Sequence, residues 1–315
     1  MFEEIISLEN LFKAWNEFQK DKAKRSDVLE FEMRLEDNVF QLHKELASGK
    51  YKHGNYFSFF IQDPKRRHVH KALVRDRLLH HAIVRKIEPI FERTFIYDSW
   101  SCRKGKGTHA AVRRLRHLAG KASLNNTKLL WALKLDIKKF FDSIDHEVLI
   151  TLVKGNIDDS RLISLIENII NSFSPGLPLG NLTSQLMANV YMDKLDQFVK
   201  HELKAKYYLR YADDFILLST DKGVLKNHIF SISKFLKDNL KLSLHENKII
   251  LRKYRSGIDF LGYVCFPDYC VLRTKTKKRI FRKLAKHNVT SYLGVLSHCR
   301  SFSLSQRVKM LFHHN

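Results

Sequence analysis

The sequence predicts an α+β fold with helices toward both ends and antiparallel hairpins between them. Three observations lead there. Apolar residues recur at helical spacing through the first 46 residues, short apolar runs bounded by turn residues fill the middle, and a basic stretch of helical pattern closes the chain. No internal repeat and no low-complexity linker interrupts this order, so the parts read as subdomains of one continuous fold.

At the N-terminus, Ile5, Leu8, Leu11 or Phe12, Trp15 and Phe18 form one apolar stripe. A basic break from Lys20 to Arg25 leads into a second, Val28, Phe31, Leu35, Val39, Leu42 and Leu46, so two amphipathic helices closed by Gly49 are predicted. Tyr51 to Val69 alternates and is rich in aromatics, with Asp63-Pro64 as a turn before Lys65, Arg66, Arg67 and His68, which predicts a basic hairpin. Leu73 to Phe91 returns to helical periodicity. Ser101 to Thr108 is a basic loop whose Gly105 and Gly107 either bring backbone close to a phosphate or make a plain surface turn.

Leu129 to Leu135 predicts a buried strand ending at Asp136, followed by a helix over Lys138 to Asp145. A loop from Ser172 to Gly180 precedes a long amphipathic helix carrying Leu186, Val190, Leu195, Phe198 or Val199 and Leu203. Tyr207 to Leu218 predicts two strands around Ala212-Asp213, Val224 to Leu240 a helix, and Lys241 to Leu251 a strand. Ile258 to Phe266 and Tyr269 to Arg273 predict a hairpin around Pro267-Asp268, and Lys275 to Asn315 further helix.

Composition narrows the function. With 44% hydrophobic residues in 315, the chain has ample material for a core. Fifty-six Lys and Arg against 33 acids give a formal charge of +23, spread along the length, which points to a polyanionic partner. Charge alone supplies only sequence-independent phosphate attraction. Cys102, Cys265, Cys270 and Cys299 have no zinc spacing and suggest no disulfide framework. Met1 to Asn10 carries acids, unlike a signal peptide, and no apolar run reaches membrane-spanning length, so a cytoplasmic protein is expected.

Tyr211-Ala212-Asp213-Asp214-Phe215 sets two carboxylates at a tight turn inside an apolar hairpin, where unpaired charge is costly. If the strand ending at Asp136 lies alongside, Asp136 and Asp213 stand together as a candidate divalent-cation site. Magnesium is typically held by one or two carboxylates plus substrate phosphates, so two or three aspartates suffice for a two-metal phosphoryl-transfer site. The competing reading is an Asp-Asp pair in an ordinary turn.

Leu135-Asp136-Ile137-Lys138-Lys139-Phe140-Phe141 resembles the first palm motif of reverse transcriptases, Leu177-Pro178-Leu179-Gly180-Asn181-Leu182-Thr183-Ser184-Gln185 the second, and Tyr211-Ala212-Asp213-Asp214 the third. Leu244-His245-Glu246-Asn247-Lys248 resembles the fourth motif, and Phe260-Leu261-Gly262-Tyr263 the primer-grip hairpin. Upstream, Pro64-Lys65-Arg66-Arg67 and Val74-Arg75-Asp76-Arg77 resemble the fingers of enzymes related to group II intron proteins.

The resemblance implies a right-hand polymerase: an N-terminal helical extension over 1–49, fingers over 50–125, a palm with antiparallel sheet over 126–256 including a helical insertion at about 146–176, and a primer-grip hairpin with a short helical thumb over 257–315. It implies that Asp136, Asp213 and Asp214 are catalytic and hold two magnesium ions, with manganese as a possible substitute. Phe141 falls at the steric gate that favours dNTP over rNTP, its alternative being a core ring. Lys65, Arg67 and Arg75 are candidates for the triphosphate or for solvated surface, and Lys248 either protonates pyrophosphate or is merely exposed. Leu179, Gly180 and Gln185 line the nucleotide, and Phe260, Leu261 and Gly262 form the primer grip.

Most reverse transcriptases carry glutamine where this chain has Leu179 and proline where it has Gln185. The pattern here, with Ser101 to His109, resembles the enzymes of diversity-generating retroelements, which copy a template-repeat RNA with errors at adenine. Leucine at 179 cannot make a glutamine's hydrogen bond to the nascent pair, a loss of about 1 to 3 kcal/mol. The resemblance further implies a template and primer RNA, its cDNA and a small basic accessory protein as partners. Its rivals are an antiphage defence, abortive-infection or retron-like reverse transcriptase, and a maturase-type RNA-binding protein.

Overall fold

A computed structural model describes residues 1–62 and 66–311 of the chain. They form two compact units interleaved in sequence: Met1–Ile96 with Ile137–Phe198 and Lys234–Ser243, and Tyr97–Asp136 with Val199–Ser233 and Leu244 onward. Among the described residues no helix is long and apolar enough to cross a membrane.

The first unit is mainly helical. Each of the two predicted N-terminal helices is split, into Phe2–Ile6 with Leu8–Phe18 and into Ser26–Glu32 with Leu35–Ala47. Ser7 makes the first break. Its backbone is extended and its hydroxyl accepts from Asn10 N, which starts a new helix at Leu8, the usual work of a serine N-cap. Arg34, at φ −132° and ψ 43°, makes the second.

The stripe Leu11, Trp15 and Phe18 is fully buried and packs with the helix Val74–Glu92, whose Leu78, Leu79 and Ile83 are equally buried. Each such side chain contributes roughly 1.5–3 kcal/mol on leaving water. Buried Asn10 is satisfied within this layer, donating to Ile5 O at 2.8 Å and Ala82 O at 3.1 Å. Val74–Glu92 also packs on Leu182–Gln197, the long helix expected after the Ser172–Gly180 loop.

Two strands complete this unit. β1 (Phe57–Ile61) and β2 (Arg67–Lys71) pair antiparallel, with Phe57 opposite Lys71 and Ile61 opposite Arg67. The expected turn at Asp63-Pro64, and Lys65, lie outside the described residues. The helix expected over Lys138 to Asp145 is only a short 3-10 turn, Phe141–Ser143. The α-helix begins at His146 because Asp145 serves as its N-cap, accepting from Val148 N at 3.0 Å.

The second unit carries the sheets. β3 (Trp131–Asp136), β4 (Tyr207–Tyr211), β5 (Asp214–Ser219) and β6 (Ile250–Lys253) form one antiparallel sheet in the order β4-β5-β3-β6. The strand expected over Lys241 to Leu251 shrinks to β6, because His245 to Lys248 lack apolar alternation and Glu246–Lys248 form a 3-10 turn.

Ile258 to Phe266, expected as one strand, is two: β7 (Ile258–Phe260) and β8 (Tyr263–Cys265), with β9 (Cys270–Leu272) pairing onto β8. Leu261 and Gly262, both with positive φ (50° and 90°), reverse the chain as a type I′ turn requires. The core of this unit joins Leu115, Ala132, Leu209, Ile216, Phe260 and Leu296. The expected C-terminal helices are Thr274–Lys283, Val289–Leu296 and Phe302–Met310.

Candidate active site

β3 and β5 run antiparallel from Trp131 opposite Ser219 to Asp136 opposite Asp214. Their apolar residues Leu133, Leu135, Phe215 and Ile216 are all buried, so the register is held by the core and the aspartates fall at its end. β4 leads into β5 through Ala212 and Asp213, with Tyr211 paired to Asp214. Asp213 therefore sits at the turn, and Asp214, not Asp213, is the cross-strand neighbour of Asp136.

Ala212 has φ 53°, a left-handed conformation at the position a type II′ turn gives to glycine. Arg210 supports it from below. This arginine is wholly buried, donating from Nη1 to Ala212 O at 3.2 Å and from Nη2 to Ser99 Oγ at 3.0 Å. Its backbone N–H bonds to Asp98 O, whose carboxylate is gripped by Arg114 through two bonds of 2.8 and 3.0 Å.

A lysine closes on each strand-end carboxylate. Lys134 Nζ lies 2.8 Å from Asp214 Oδ2 and also donates to Asp259 O at 2.7 Å. Lys248 Nζ lies 2.6 Å from Asp136 Oδ1, and His245 N donates to Asp136 O at 2.8 Å. Asp214 keeps one oxygen, Oδ1, buried without a hydrogen-bond partner. Burial pushes its carboxyl up to about 6; Lys134 opposes that shift, while Asp213 and Asp136 add repulsion.

An orphaned carboxylate oxygen amid mutually repelling aspartates is the environment a divalent cation relieves, so the residues fit one. Among the described residues no group of three or more acidic, His or Cys side chains is already gathered as a metal cluster.

The other candidate residues on the first unit gather around the 172–181 loop. Phe141 is half-buried beside buried Phe140, the rings meeting edge to face at 5.3 Å, and its carbonyl accepts from Leu177 N at 2.8 Å. Leu179 is half-buried and its carbonyl accepts from His70 N at 2.9 Å. Gly180, at φ 114°, passes so close to β2 that a Cβ would stand 2.8 Å from Val69 Cγ1. Gln185 lies half-buried in the first turn of Leu182–Gln197, and Arg67 is exposed on β2.

Arg75 is engaged within its own unit, on Glu45 and on Lys52 O, both at 2.7 Å. On the second unit, Phe260 is buried at the end of β7, while Leu261 and Gly262 form the turn beyond it.

The profile of the reverse transcriptase (RNA-dependent DNA polymerase) family matches residues 62–265, about two thirds of the chain. The chain belongs to that family. Among curated proteins it is 25% identical over 277 residues to Protein YkfC of Escherichia coli, covering 73% of this chain and 71% of YkfC. It is 27% identical over 278 residues to the group II intron-encoded protein LtrA of Lactococcus lactis, covering 65% of this chain but only 44% of LtrA. The apo telomerase of Candida tropicalis, truncated from its C-terminal domain, superposes with a TM-score of 0.52 at 14% identity, over 70% of this chain and 55% of that one. The fold is thus that of the right-hand polymerases.

Three residues that hold these elements are given no role by the motifs: Lys134, Arg210 and Asn181, the last of which bonds His70 O and Ala72 N. The first two leave a signal. Each is a single cation inside an apolar strand, and Lys134, two residues before Asp136, must share its face. Asn181 leaves none, since an asparagine before a helix reads as an ordinary cap.

Proposed function

We propose that the chain is an RNA-directed DNA polymerase whose cation site is built on Asp136, Asp214 and the turn residue Asp213. The apposition of Asp136 and Asp214, with Asp214 Oδ1 unpartnered, is the observation that carries this reading. Magnesium, or manganese in its place, would supply Lewis-acid activation of the primer hydroxyl and charge neutralisation of the triphosphate. Lys134 and Lys248 pair with Asp214 and Asp136, the carboxylates that would hold the ion.

The β3–β6 sheet serves as palm and the β1–β2 hairpin as part of the fingers in this proposal. Arg67, with Lys65 beside it in sequence, binds the incoming triphosphate, Phe141 excludes a 2′-hydroxyl, and Lys248 protonates the departing pyrophosphate. Phe260, Leu261 and Gly262 position the primer. Arg75 is left out of the nucleotide set because Glu45 and Lys52 already hold its guanidinium.

We further propose that the chain serves a diversity-generating retroelement, copying a template-repeat RNA with errors at adenine and working with a small basic accessory protein. Leu179 and Gln185 support this finer reading. The enzyme then acts where the RNA is.

Primer extension on an RNA template with each dNTP in turn tests both levels. Asp213→Asn is expected to abolish synthesis, and Leu179→Gln to lower misincorporation opposite adenine by about five- to hundredfold. No incorporation by the wild type with magnesium would overturn the polymerase reading. Unchanged misincorporation in Leu179→Gln would overturn the retroelement reading.

A further inference from the structure

Asn181 precedes the helix Leu182–Gln197 at the position where asparagine ordinarily caps, yet its side chain makes no capping bond. The amide is turned away from its own helix. It is 1% exposed, donating from Nδ2 to His70 O at 3.0 Å and accepting at Oδ1 from Ala72 N at 3.4 Å. With Leu179 O receiving His70 N, the loop runs along β2 like a third strand, and the Asn181 side chain supplies the part of the ladder that its backbone cannot.

Further contacts join the loop to the same hairpin. Ser172 Oγ lies 2.8 Å from Tyr56 OH just before β1, and the Phe173 ring stands 4.6 Å from His70. Gly180 permits the approach, since its backbone lies against Val69. A two-stranded hairpin is marginal alone, so its placement depends on such attachments.

We infer that Asn181 is a positioning residue for nucleotide selection: its amide clasps β2 to the loop bearing Leu179, so that Arg67 on the strand and Leu179 on the loop move as one body. Asn181 touches no nucleotide, because it is buried and both ends of its amide are engaged by backbone. The helix start forgoes a side-chain cap so that the clasp can form. This inference rests on the reading of the Leu177–Gln185 loop as nucleotide-selecting.

The test uses the full chain and reads both mobility and kinetics, in the wild type and in Asn181→Ala, Asn181→Ser and Asn181→Asp. Hydrogen–deuterium exchange in peptides covering residues 66–74 is expected to quicken by about tenfold in Asn181→Ala. The KM for the correct dNTP is expected to rise about fivefold with kcat within about twofold. Serine is a good cap but too short to span His70 O and Ala72 N, so Asn181→Ser should behave as Asn181→Ala does. Aspartate keeps the acceptor and loses the donor, and should fall between.

A role in capping alone predicts the opposite pattern, with exchange quickened over residues 182–186 and Asn181→Ser restored to wild-type behaviour. That result overturns the inference, as does unchanged exchange over residues 66–74 in all three variants. Quickened exchange with unchanged KM also overturns it, and places the failure in the reading of the loop rather than in the clasp. Should Asn181→Ala fail to fold, the serine and aspartate variants carry the same comparison.

Discussion

Asp136 and Asp214 face one another across β3 and β5, and each is neutralised by a lysine of its own, Lys248 and Lys134. The two pairs are not equivalent. Lys134 and Asp214 are 14% and 18% exposed, whereas Lys248 is 40% exposed.

Removing the buried partner should matter more. Lys134→Met leaves Asp214 without its own cation beside Asp213 and Asp136, and a loss of about 3 kcal/mol is expected without divalent cation. Lys248→Ala should cost about 0–1 kcal/mol. Thermal unfolding with and without millimolar magnesium checks both: the cation should recover most of the Lys134→Met loss, and equal magnesium gains in variant and wild type would refute the assignment.

The turn before Asp214 gives a second expectation. Ala212 holds φ 53° with its carbonyl on Arg210. Ala212→Gly removes the steric cost and adds unfolded-chain entropy, so stability should stay within about 1 kcal/mol of wild type. Ala212→Val, a β-branched residue at positive φ, should cost about 2 kcal/mol. Arg210→Met leaves the Ala212 and Ser99 oxygens short of a donor, and a loss of about 2–3 kcal/mol is expected. Urea unfolding measures all three, and primer extension should fall with stability only in Ala212→Val and Arg210→Met.

A third expectation concerns acid. Burial lowers His80 to about 3 and His81 to about 4, with neighbouring cations and His53 adding to the effect. Both rings are then neutral in the folded state at pH 5, while the unfolded chain takes up protons from about 6.5 downward. Stability is full above that value and declines as pH falls toward 4, by up to about 1.4 kcal/mol per pH unit for each ring. Urea midpoints between pH 7 and 5 should drop in the wild type and drop less in His81→Gln.

How far the sequence carried depends on the kind of interaction. Strand β3 and its terminal Asp136 were readable because an apolar run ending in a carboxylate is a local pattern. The partner of Asp136 was not. A turn of two residues between Tyr211 and Asp214 puts Asp214 in register, one position beyond the expected Asp213. Similarly, Asp145 looks helical by pattern but starts the helix instead, and the turn at Leu261 asks a branched residue to adopt positive φ, which propensity does not foresee. Asn181 was unreadable for a different reason: its partners, His70 and Ala72, lie more than a hundred residues away.

The β1–β2 hairpin bears on how this protein behaves in a tube. Every residue of β1 is exposed, Phe57 by 68%, and the strand's outer edge pairs with no described strand, which is the kind of edge on which copies of a chain zip together. The loop at Leu179 and Asn181 covers the other edge. Arg66, stacked 4.1 Å from the Phe60 ring, and Arg67 place like charges along the ribbon, so identical molecules repel there. Colloidal stability is therefore tied to ionic strength, and concentrated salt, often chosen to keep a basic protein free of nucleic acid, brings this one closer to self-association.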